Sequence, residues 1–308
     1  MLNDDYHVSV LLNTSVEGLV IDPSGTYVDV TFGGGGHSRK ILELLDEKGR
    51  LFAFDQDADA AKNAIDDPRF HFIASNFSFL TNFLKVSGVK EIDGLIADLG
   101  VSSFQFDEES RGFSTRMDAR LDMRMNQSQE LDAYKVVNAY DEEELYRIFR
   151  EYGEVKTLRK LVELILKNRA KNKIKTTGEF VNLLKTIAPR GKENRFYAQV
   201  FQAIRIEVND EMKVLRSLLE QSAKMIKPGG RLVVISYHSL EDRLVKNFIK
   251  KGKFEGEVEK DFFGREIKPF KEVTRKPIIP DSEEQERNTR SRSAKLRIAE
   301  KVAWETNS

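Results

Sequence analysis

The sequence contains no cysteine and no long apolar run. Without cysteine the chain has no disulfide, no thiolate metal ligand and no cysteine nucleophile, and its composition fits a reducing cytoplasm. A membrane-spanning helix would need about 20 consecutive apolar residues, which the sequence lacks. The four histidines show no metal-site spacing, and residues 1–14 are acidic before a short apolar stretch, the wrong order for a signal peptide. We therefore predict a cytoplasmic protein with no membrane contact and no bound metal.

Proline is also scarce, with 7 residues among 308, while 40% of the chain is hydrophobic and 32% is charged. This composition is typical of a globular protein, and the length allows one large core or two smaller ones. The 50 basic and 50 acidic residues cancel, but residues 151–200 hold 12 Lys or Arg against 5 Asp or Glu, and residues 104–150 hold 7 against 11. A neutral total therefore does not exclude a nucleic-acid partner, although a solvated lysine-rich helix face explains the basic segment equally well.

The first hundred residues alternate between short apolar runs and helical patterns. Helical spacing covers residues 38–46 and 60–65, and four apolar runs predict strands at 27–32, 49–57, 70–75 and 92–100. This alternation predicts βαβ units and a parallel sheet. The runs are apolar almost throughout, which indicates strands buried on both faces.

From about Phe104 the strand-like runs give way to helical spacing, over residues 131–173 and again over 176–188, which opens with a threonine suited to capping. Strand character returns near the C-terminus, with a buried strand in 227–239, an amphipathic helix at 240–251 and an alternating, half-exposed strand at 293–302. We predict one α/β sheet interrupted by a helical insertion. Two consecutive domains would leave the strand in 227–239 without a sheet to join.

Four consecutive glycines, residues 33–36, follow the first predicted strand and precede the first helix. Such a loop brings backbone N–H groups and a helix N-terminus close to a ligand, and glycine has no Cβ to obstruct the approach. Ser38 stands where a dinucleotide fingerprint has its third glycine, and no Gly-Lys-Ser/Thr closes the loop, which disfavours a P-loop nucleotidase. Taken alone, the loop is equally consistent with a simple turn.

Two carboxylates favour a nucleoside cofactor. Asp55 ends the second predicted strand, 22 residues after Gly33, close to the offset of about 20 residues at which an acidic side chain binds ribose hydroxyls. Asp98 ends the strand at 92–100, where a carboxylate suits a positively charged sulfonium or amino group and would repel a pyrophosphate. These features favour S-adenosylmethionine over NAD, with a cap or turn role as the alternative for Asp98.

With these residues in place, the chain resembles the bacterial 16S rRNA (cytosine-N4)-methyltransferases. The resemblance extends over nearly the whole chain in a series of ordered stretches, which makes a chance match very improbable. The stretches are YHVSVLL (6–12), TFGGGGHS (31–38), FDQD (54–57), IDGLIADLGVSS (92–103), RGFS (111–114), LDMRM (121–125), FQAIRIEVNDE (201–211), IKPGGRL (226–232), SYHSLEDR (236–243) and RSRSAKLR (290–297).

The resemblance implies a class I (Rossmann-like) methyltransferase domain at 1–103 and 201–308, with an all-helical insertion at 104–200 that helps to recognise RNA. It implies methyl transfer from S-adenosyl-L-methionine to the exocyclic N4 amine of a specific cytidine of 16S rRNA, at the decoding centre of the small ribosomal subunit. The implied cofactor-binding residues are Gly35, Gly36, His37, Asp55, Phe77, Asp98 and Gln105. The exact nucleotide, and whether the chain forms a homodimer, stay open.

The sequence departs from the family pattern at three places near the expected target base and tail. These are Phe104, where the family usually has proline, residues 118–126, and Thr289. They leave the placement of the base open. The three phenylalanines of this loop are candidates for an aromatic clamp that holds the target base after it leaves its stack. Aromatic residues in loops more often anchor the loop to a hydrophobic core. The three are Phe104, Phe106 and Phe113.

Asp98 is the first candidate for the catalytic group that orients the target amine and takes its proton. The backbone carbonyl of Gly100 or Val101 is an alternative, and so is His238, which equally suits a helix cap. Residues 287–297 and the basic insertion helices are expected to contact phosphates. Three other functions remain as alternatives: an NAD-dependent oxidoreductase, a DNA amino-methyltransferase and a non-catalytic ribosome-assembly factor.

Overall fold

The computed structural model describes residues 9–303, apart from the side chains of Ser103 and Glu109. Residues 6–8 of the first family-like stretch, and most of the segment that argued against a signal peptide, lie outside the described residues. The chain divides into two compact units. The sheet unit comprises the chain up to Gly100 and from Lys213 onward, and the helical unit is Val101–Met212. The sequence predicted these boundaries between residues 103 and 104 and between residues 200 and 201.

The sheet unit contains the strands of the described chain. Their bounds are β1 Thr26–Asp29, β2 Arg50–Asp55, β3 Phe70–Ala74, β4 Ile92–Asp98, β5 Ile226–Ser236, β6 Glu259–Lys260, β7 Glu266–Ile267, β8 Phe270–Glu272 and β9 Lys295–Lys301. Seven of them form one sheet in the order β3-β2-β1-β4-β5-β9-β8, and β6 pairs with β7. Strands β1 to β5 are parallel, whereas β9 runs antiparallel to both β5 and β8. The order reverses between β1 and β4, and ligands of open α/β sheets bind at such a reversal.

Helices accompany these strands in the sheet unit. Their bounds are α1 Leu12–Leu19, α2 Gly36–Leu44, α3 Leu80–Val86, α11 Ser239–Lys251 and α12 Ser282–Arg287, with 3₁₀ turns at Ala58–Asn63, Phe77–Phe79 and Thr289–Ser293; the unit boundary falls within α10, Glu211–Met225. Every residue of β1 and all but the last of β4 are buried, as expected for parallel strands covered on both faces. The predicted α/β sheet is therefore confirmed.

The prediction of a half-exposed final strand was wrong. Strand β9 is buried at five of its seven positions, because it lies between β5 and β8 and is not an edge strand. Its alternating sequence includes Arg297, which is only 7% exposed and donates from Nε to Asp242 Oδ1 at 2.7 Å. The charged side chain of Arg297 is thus paired with Asp242 in the interior, where the sequence predicted contact with solvent.

The helical unit has a separate hydrophobic core. Its helices are α4 Ser103–Asp107, α5 Ala133–Ala139, α6 Glu142–Glu151, α7 Leu158–Arg169, α8 Thr177–Lys185 and α9 Glu193–Val208. Apolar residues at helical spacing on α6, α8 and α9 meet in this core, among them the fully buried Phe149, Phe180 and Ile204. The predicted threonine cap is confirmed, since Thr176 Oγ1 accepts a hydrogen bond from the N–H of Glu179 at 3.2 Å. No helix within residues 9–303 is long and apolar enough to cross a membrane.

We expect Phe54→Ala to lower the free energy of unfolding by about 3–5 kcal/mol, because it removes a fully buried ring from the sheet unit and leaves a cavity. Phe262→Ala is the control, since Phe262 is 99% exposed and its loss should cost less than about 0.5 kcal/mol. Urea unfolding followed by circular dichroism measures both. Equal, small changes would show that Phe54 does not belong to a packed core.

Candidate active site

The glycine loop between β1 and α2 is shaped by close packing on one side and open space on the other. Gly35 has φ 78°, and a Cβ there would lie 2.9 Å from the Phe32 ring. A Cβ on Gly36 would overlap the Ser9 hydroxyl. At Gly34, by contrast, a Cβ would meet no atom within 4 Å. Two glycines are therefore needed for the loop to pack, and Gly34 is exposed.

Asp55, at the end of β2, holds this loop. Its Oδ2 accepts a hydrogen bond from the Gly33 N–H at 2.8 Å, and its Oδ1 accepts one from the Asp57 N–H at 2.9 Å. Burial raises the pKa of Asp55 to about 6, although both N–H donors act in the opposite direction. A carboxylate has about four acceptor positions, so Asp55 keeps acceptor capacity for a ligand hydroxyl.

Asp98, at the end of β4, is positioned from two other strand ends. Its N–H donates to Thr31 Oγ1 at 2.7 Å, and its Oδ1 accepts a hydrogen bond from the Tyr237 hydroxyl at 2.7 Å. Its Oδ2 lies 3.9 Å from His37 Nδ1. Burial raises the pKa of Asp98 to about 6, opposed by His37 and by the Tyr237 hydrogen bond. The side chain is 22% exposed, so it is both firmly held and reachable.

His37 is a buried residue whose ring lies close to Asp98. Its side chain is 5% exposed, and its Nε2 lies 3.3 Å from the carbonyl oxygen of Val10. Donation to that carbonyl requires the proton on Nε2, so the neutral ring has none on Nδ1. Burial lowers the pKa of His37, and the charge of Asp98 opposes that shift.

Asp29, Thr31 and Ser38 form a buried connection that the sequence analysis missed. Asp29 is 1% exposed; its Oδ2 accepts from Ser38 Oγ at 2.7 Å, and its Oδ1 accepts from the Thr31 N–H at 3.0 Å. Burial raises the pKa of Asp29. Ser38, which replaces the third fingerprint glycine, thus ties α2 to β1. The sequence signal for this connection is Asp29 itself, a single carboxylate within an otherwise apolar strand.

Tyr237 is a further residue that sequence reasoning missed. It follows β5 inside the family-like stretch 236–243, in which His238 was the predicted candidate. The structure makes His238 the N-cap of α11, with its Nδ1 accepting from the Glu241 N–H at 3.4 Å. The cap role is confirmed for His238, and the neighbouring phenol is the group that reaches Asp98.

Phe77 lies on the same edge of the sheet as Asp55. It opens the 3₁₀ turn after β3 and is half-buried. Asn76 Nδ2 donates to Gln56 Oε1 at 2.7 Å, which joins the segment after β3 to the segment after β2. Six of the predicted site residues therefore gather at the carboxyl ends of the first four strands: Gly35, Gly36, His37, Asp55, Phe77 and Asp98.

The seventh predicted residue, Gln105, belongs to the helical unit. Its side chain accepts a hydrogen bond from the Ser102 N–H at 3.1 Å and completes a capping box on α4. Among the predicted clamp residues, Phe113 is 7% exposed within the core of the helical unit, and Phe106 packs against that core. Phe113 is therefore too buried to clamp a base. Phe104 is 48% exposed and remains a candidate clamp residue.

Comparison with known proteins gives a family match and close relatives. A model of the MraW methylase family matches residues 4–302. A curated protein of Parabacteroides distasonis is 57% identical over 298 residues, covering 96% of this chain and 98% of its own. One of Flavobacterium johnsoniae is also 57% identical over 298 residues, covering 97% and 98%. Both relatives are named ribosomal RNA small subunit methyltransferase H.

The raised pKa of Asp55 predicts a pH-dependent stability. Between its ordinary value of 3.8 and about 6, the folded protein keeps a proton that the unfolded chain has lost, so the wild type loses stability as the pH rises through about 6. Asparagine cannot ionise. We therefore expect Asp55→Asn to gain about 2–3 kcal/mol relative to wild type between pH 4 and pH 7.

Urea unfolding at half-unit pH intervals measures this difference. Asp67→Asn is the matched control, because Arg69 holds the pKa of Asp67 at about 2, outside the pH range tested, and its difference from wild type should stay flat. A pH-independent difference for Asp55→Asn would contradict the raised pKa.

Proposed function

Because the chain belongs to the MraW methylase family, we propose that it transfers a methyl group from S-adenosyl-L-methionine to the N4 amine of a specific cytidine in 16S rRNA, at the decoding centre. The names of relatives at 57% identity support the enzyme class and the ribosomal RNA substrate. We further propose that it acts in the cytoplasm, needs no metal, and meets its RNA within the small ribosomal subunit. Homodimer formation stays an open prediction.

The gathering of buried carboxylates at the end of the sheet is the observation that carries this proposal. Asp29, Asp55 and Asp98 have raised pKa values because they are buried. Burial therefore makes their ionisation unfavourable. A cation bound near them would offset that unfavourable free energy, since an opposite charge within about 4–6 Å favours the ionised carboxylate. S-adenosyl-L-methionine has a sulfonium and an ammonium group that would supply such a positive charge. The residues therefore fit the cofactor.

Each predicted cofactor residue has a role in the proposal. The backbone at Gly35 and Gly36 would hold the amino-acid end, with His37 supporting the loop from inside. Asp55 would bind the ribose hydroxyls, and Phe77 would lie near the adenine. Asp98 would face the positively charged end. Gln105 rests on the family resemblance alone.

When bound, the cofactor supplies an electrophilic methyl carbon. The N4 amine of cytosine is a weak nucleophile because its lone pair is delocalised into the ring, so orientation of the amine should contribute most of the rate. Asp98 Oδ1 is engaged by Tyr237, which leaves Oδ2 to accept a hydrogen bond from the amine and then its proton. Burial raises the pKa of Asp98, which strengthens it as a base, while the positive charge of the bound cofactor acts in the opposite direction.

Labelled methyl transfer to small ribosomal subunits, taken from cells that lack this protein, tests the function. After digestion, mass spectrometry should find N4-methylcytidine at a single position. We expect Asp98→Asn to lower kcat at least 100-fold while subunit binding is retained, and Asp67→Asn to match wild type. Methylation of another atom would contradict the assigned acceptor, and full activity of Asp98→Asn would remove Asp98 from the chemistry.

Tyr237→Phe tests how Asp98 is held. The phenol hydrogen bond lowers the pKa of Asp98, so its loss should raise that pKa and shift the acidic limb of the kcat–pH profile upward by about one unit. We expect kcat to fall about tenfold with little change in KM. Tyr27→Phe is the control, because it also removes a phenol, which donates to the backbone carbonyl of Asp22 before the start of β1. An unshifted limb in Tyr237→Phe would show that the phenol has only a packing role.

A further inference from the structure

Glu241 is a buried carboxylate that the proposed methyl-transfer site does not use. It lies in the first turn of α11 and is 2% exposed. Burial of a charged side chain is unfavourable unless the charge is paired or hydrogen-bonded. The burial of Glu241 therefore depends on the groups that it contacts.

Glu241 holds the segment that joins β5 to α11. Its Oε2 accepts hydrogen bonds from the Tyr237 N–H at 2.8 Å and from the His238 N–H at 3.3 Å. Its Oε1 lies 3.1 Å from His238 Nε2. Because His238 Nδ1 accepts the Glu241 N–H at 3.4 Å, the proton of the neutral ring is on Nε2, beside the carboxylate. One side chain thus fixes two consecutive residues ahead of the helix.

A second capping box, on α8, shows what capping alone requires. Glu179 accepts the Lys175 N–H at 2.7 Å and the Thr176 N–H at 3.3 Å. These are the same two backbone positions that Glu241 holds before α11. Glu179, however, is exposed. Capping therefore does not require a buried carboxylate, and what distinguishes α11 is the residue whose N–H is held.

That residue, Tyr237, connects Glu241 to the proposed site. Its N–H is bonded to Glu241, and its hydroxyl donates to Asp98 Oδ1 at 2.7 Å. The bond at the N–H fixes the main chain from which the phenol extends, and such supporting hydrogen bonds keep a site in its working geometry. Loss of that bond would let the phenol move away from Asp98.

Glu241 also acts on Asp98 through its charge. Burial is the largest cause of the raised pKa of Asp98, and the charges of Asp29 and Glu241 act in the same direction. The charge of His37 and the hydrogen bond from Tyr237 act in the opposite direction. Removal of the Glu241 charge would therefore lower the pKa of Asp98, whereas removal of the phenol would raise it.

We propose that Glu241 is a positioning residue for methyl transfer, which holds the main chain of Tyr237 so that the phenol reaches Asp98. In this role Glu241 acts through Tyr237 and not on the reacting atoms. The link to catalysis rests on the proposed function, because there Asp98 accepts the amine proton. The link from Glu241 through Tyr237 to Asp98 rests on their hydrogen bonds alone.

The pKa of Asp98, measured by carbon-13 NMR of side-chain carboxyl groups, tests this link without any methyl transfer. Glu241→Gln removes the charge and keeps an oxygen that can accept the Tyr237 N–H, whereas Glu241→Ala removes both. We expect Glu241→Gln to lower the pKa of Asp98, since a repelling charge is lost. In Glu241→Ala we expect a pKa about one unit above that of Glu241→Gln, because the phenol hydrogen bond is lost as well. Equal pKa values in the two variants would limit Glu241 to its charge and overturn the positioning role.

Steady-state methylation of small ribosomal subunits tests the link to catalysis. We expect Glu241→Ala to lower kcat about tenfold with little change in KM, as for Tyr237→Phe, and Glu241→Gln to recover about threefold of that loss because it keeps the bond to Tyr237. Since both changes remove the same contact, Tyr237→Phe/Glu241→Ala should keep the kcat of the single variants to within about threefold. A loss of about a hundredfold in the double variant would show that Glu241 does not act through Tyr237 and would overturn the proposal.

Glu179→Ala is the matched control, since it removes a glutamate with the same two backbone bonds. We expect both alanine variants to lower the melting temperature, and only Glu241→Ala to change kcat and the pKa of Asp98. A lower melting temperature in Glu241→Ala with the kcat of wild type would make the residue a cap alone and overturn the proposal. If the wild type transfers no methyl group, the proposed function fails, whereas the NMR comparison still decides whether Glu241 holds Tyr237 against Asp98.

Discussion

A hydrogen bond of 2.7 Å from the Asp98 N–H to Thr31 Oγ1 joins the two strand ends between which the sheet order reverses. Thr31 also donates its N–H to Asp29, and Asp29 accepts the Ser38 hydroxyl that orients α2. The same Asp98 accepts the phenol that follows β5. Because a buried polar group without a partner is costly, these contacts hold strand ends, loop and helix in one arrangement. The glycine loop has its shape because this network holds both of its ends.

The parts of this arrangement that depend on local pattern could be predicted from the sequence. Apolar runs predicted the parallel strands, and the 22-residue offset from Gly33 singled out Asp55. Contacts between distant residues could not be predicted: Tyr237 reaches Asp98 across 139 positions, and no local signal marks that pair. The burial of β9 was missed for a similar reason, since it depends on pairing with β8, a strand of three residues.

The role of the charged residues in the helical unit could not be predicted from the sequence either. The excess of Lys and Arg in residues 151–200 was visible in the sequence, but a solvated helix face explained it equally well. The role of Gln105, by contrast, could have been predicted. Its capping of α4 is a local interaction, and the Ser-x-x-Gln spacing in the sequence is typical of such a cap.

Strands β4 and β5 are hydrogen-bonded neighbours, yet the whole of residues 99–225 separates them along the chain. While the protein is being synthesised, β4 therefore emerges with one edge unpaired and waits for its partner for on the order of ten seconds. An unpaired strand edge is a template for pairing with other chains. The early half of the sheet thus passes through an interval in which β4, a strand buried at all but its last position in the folded protein, is vulnerable to aggregation.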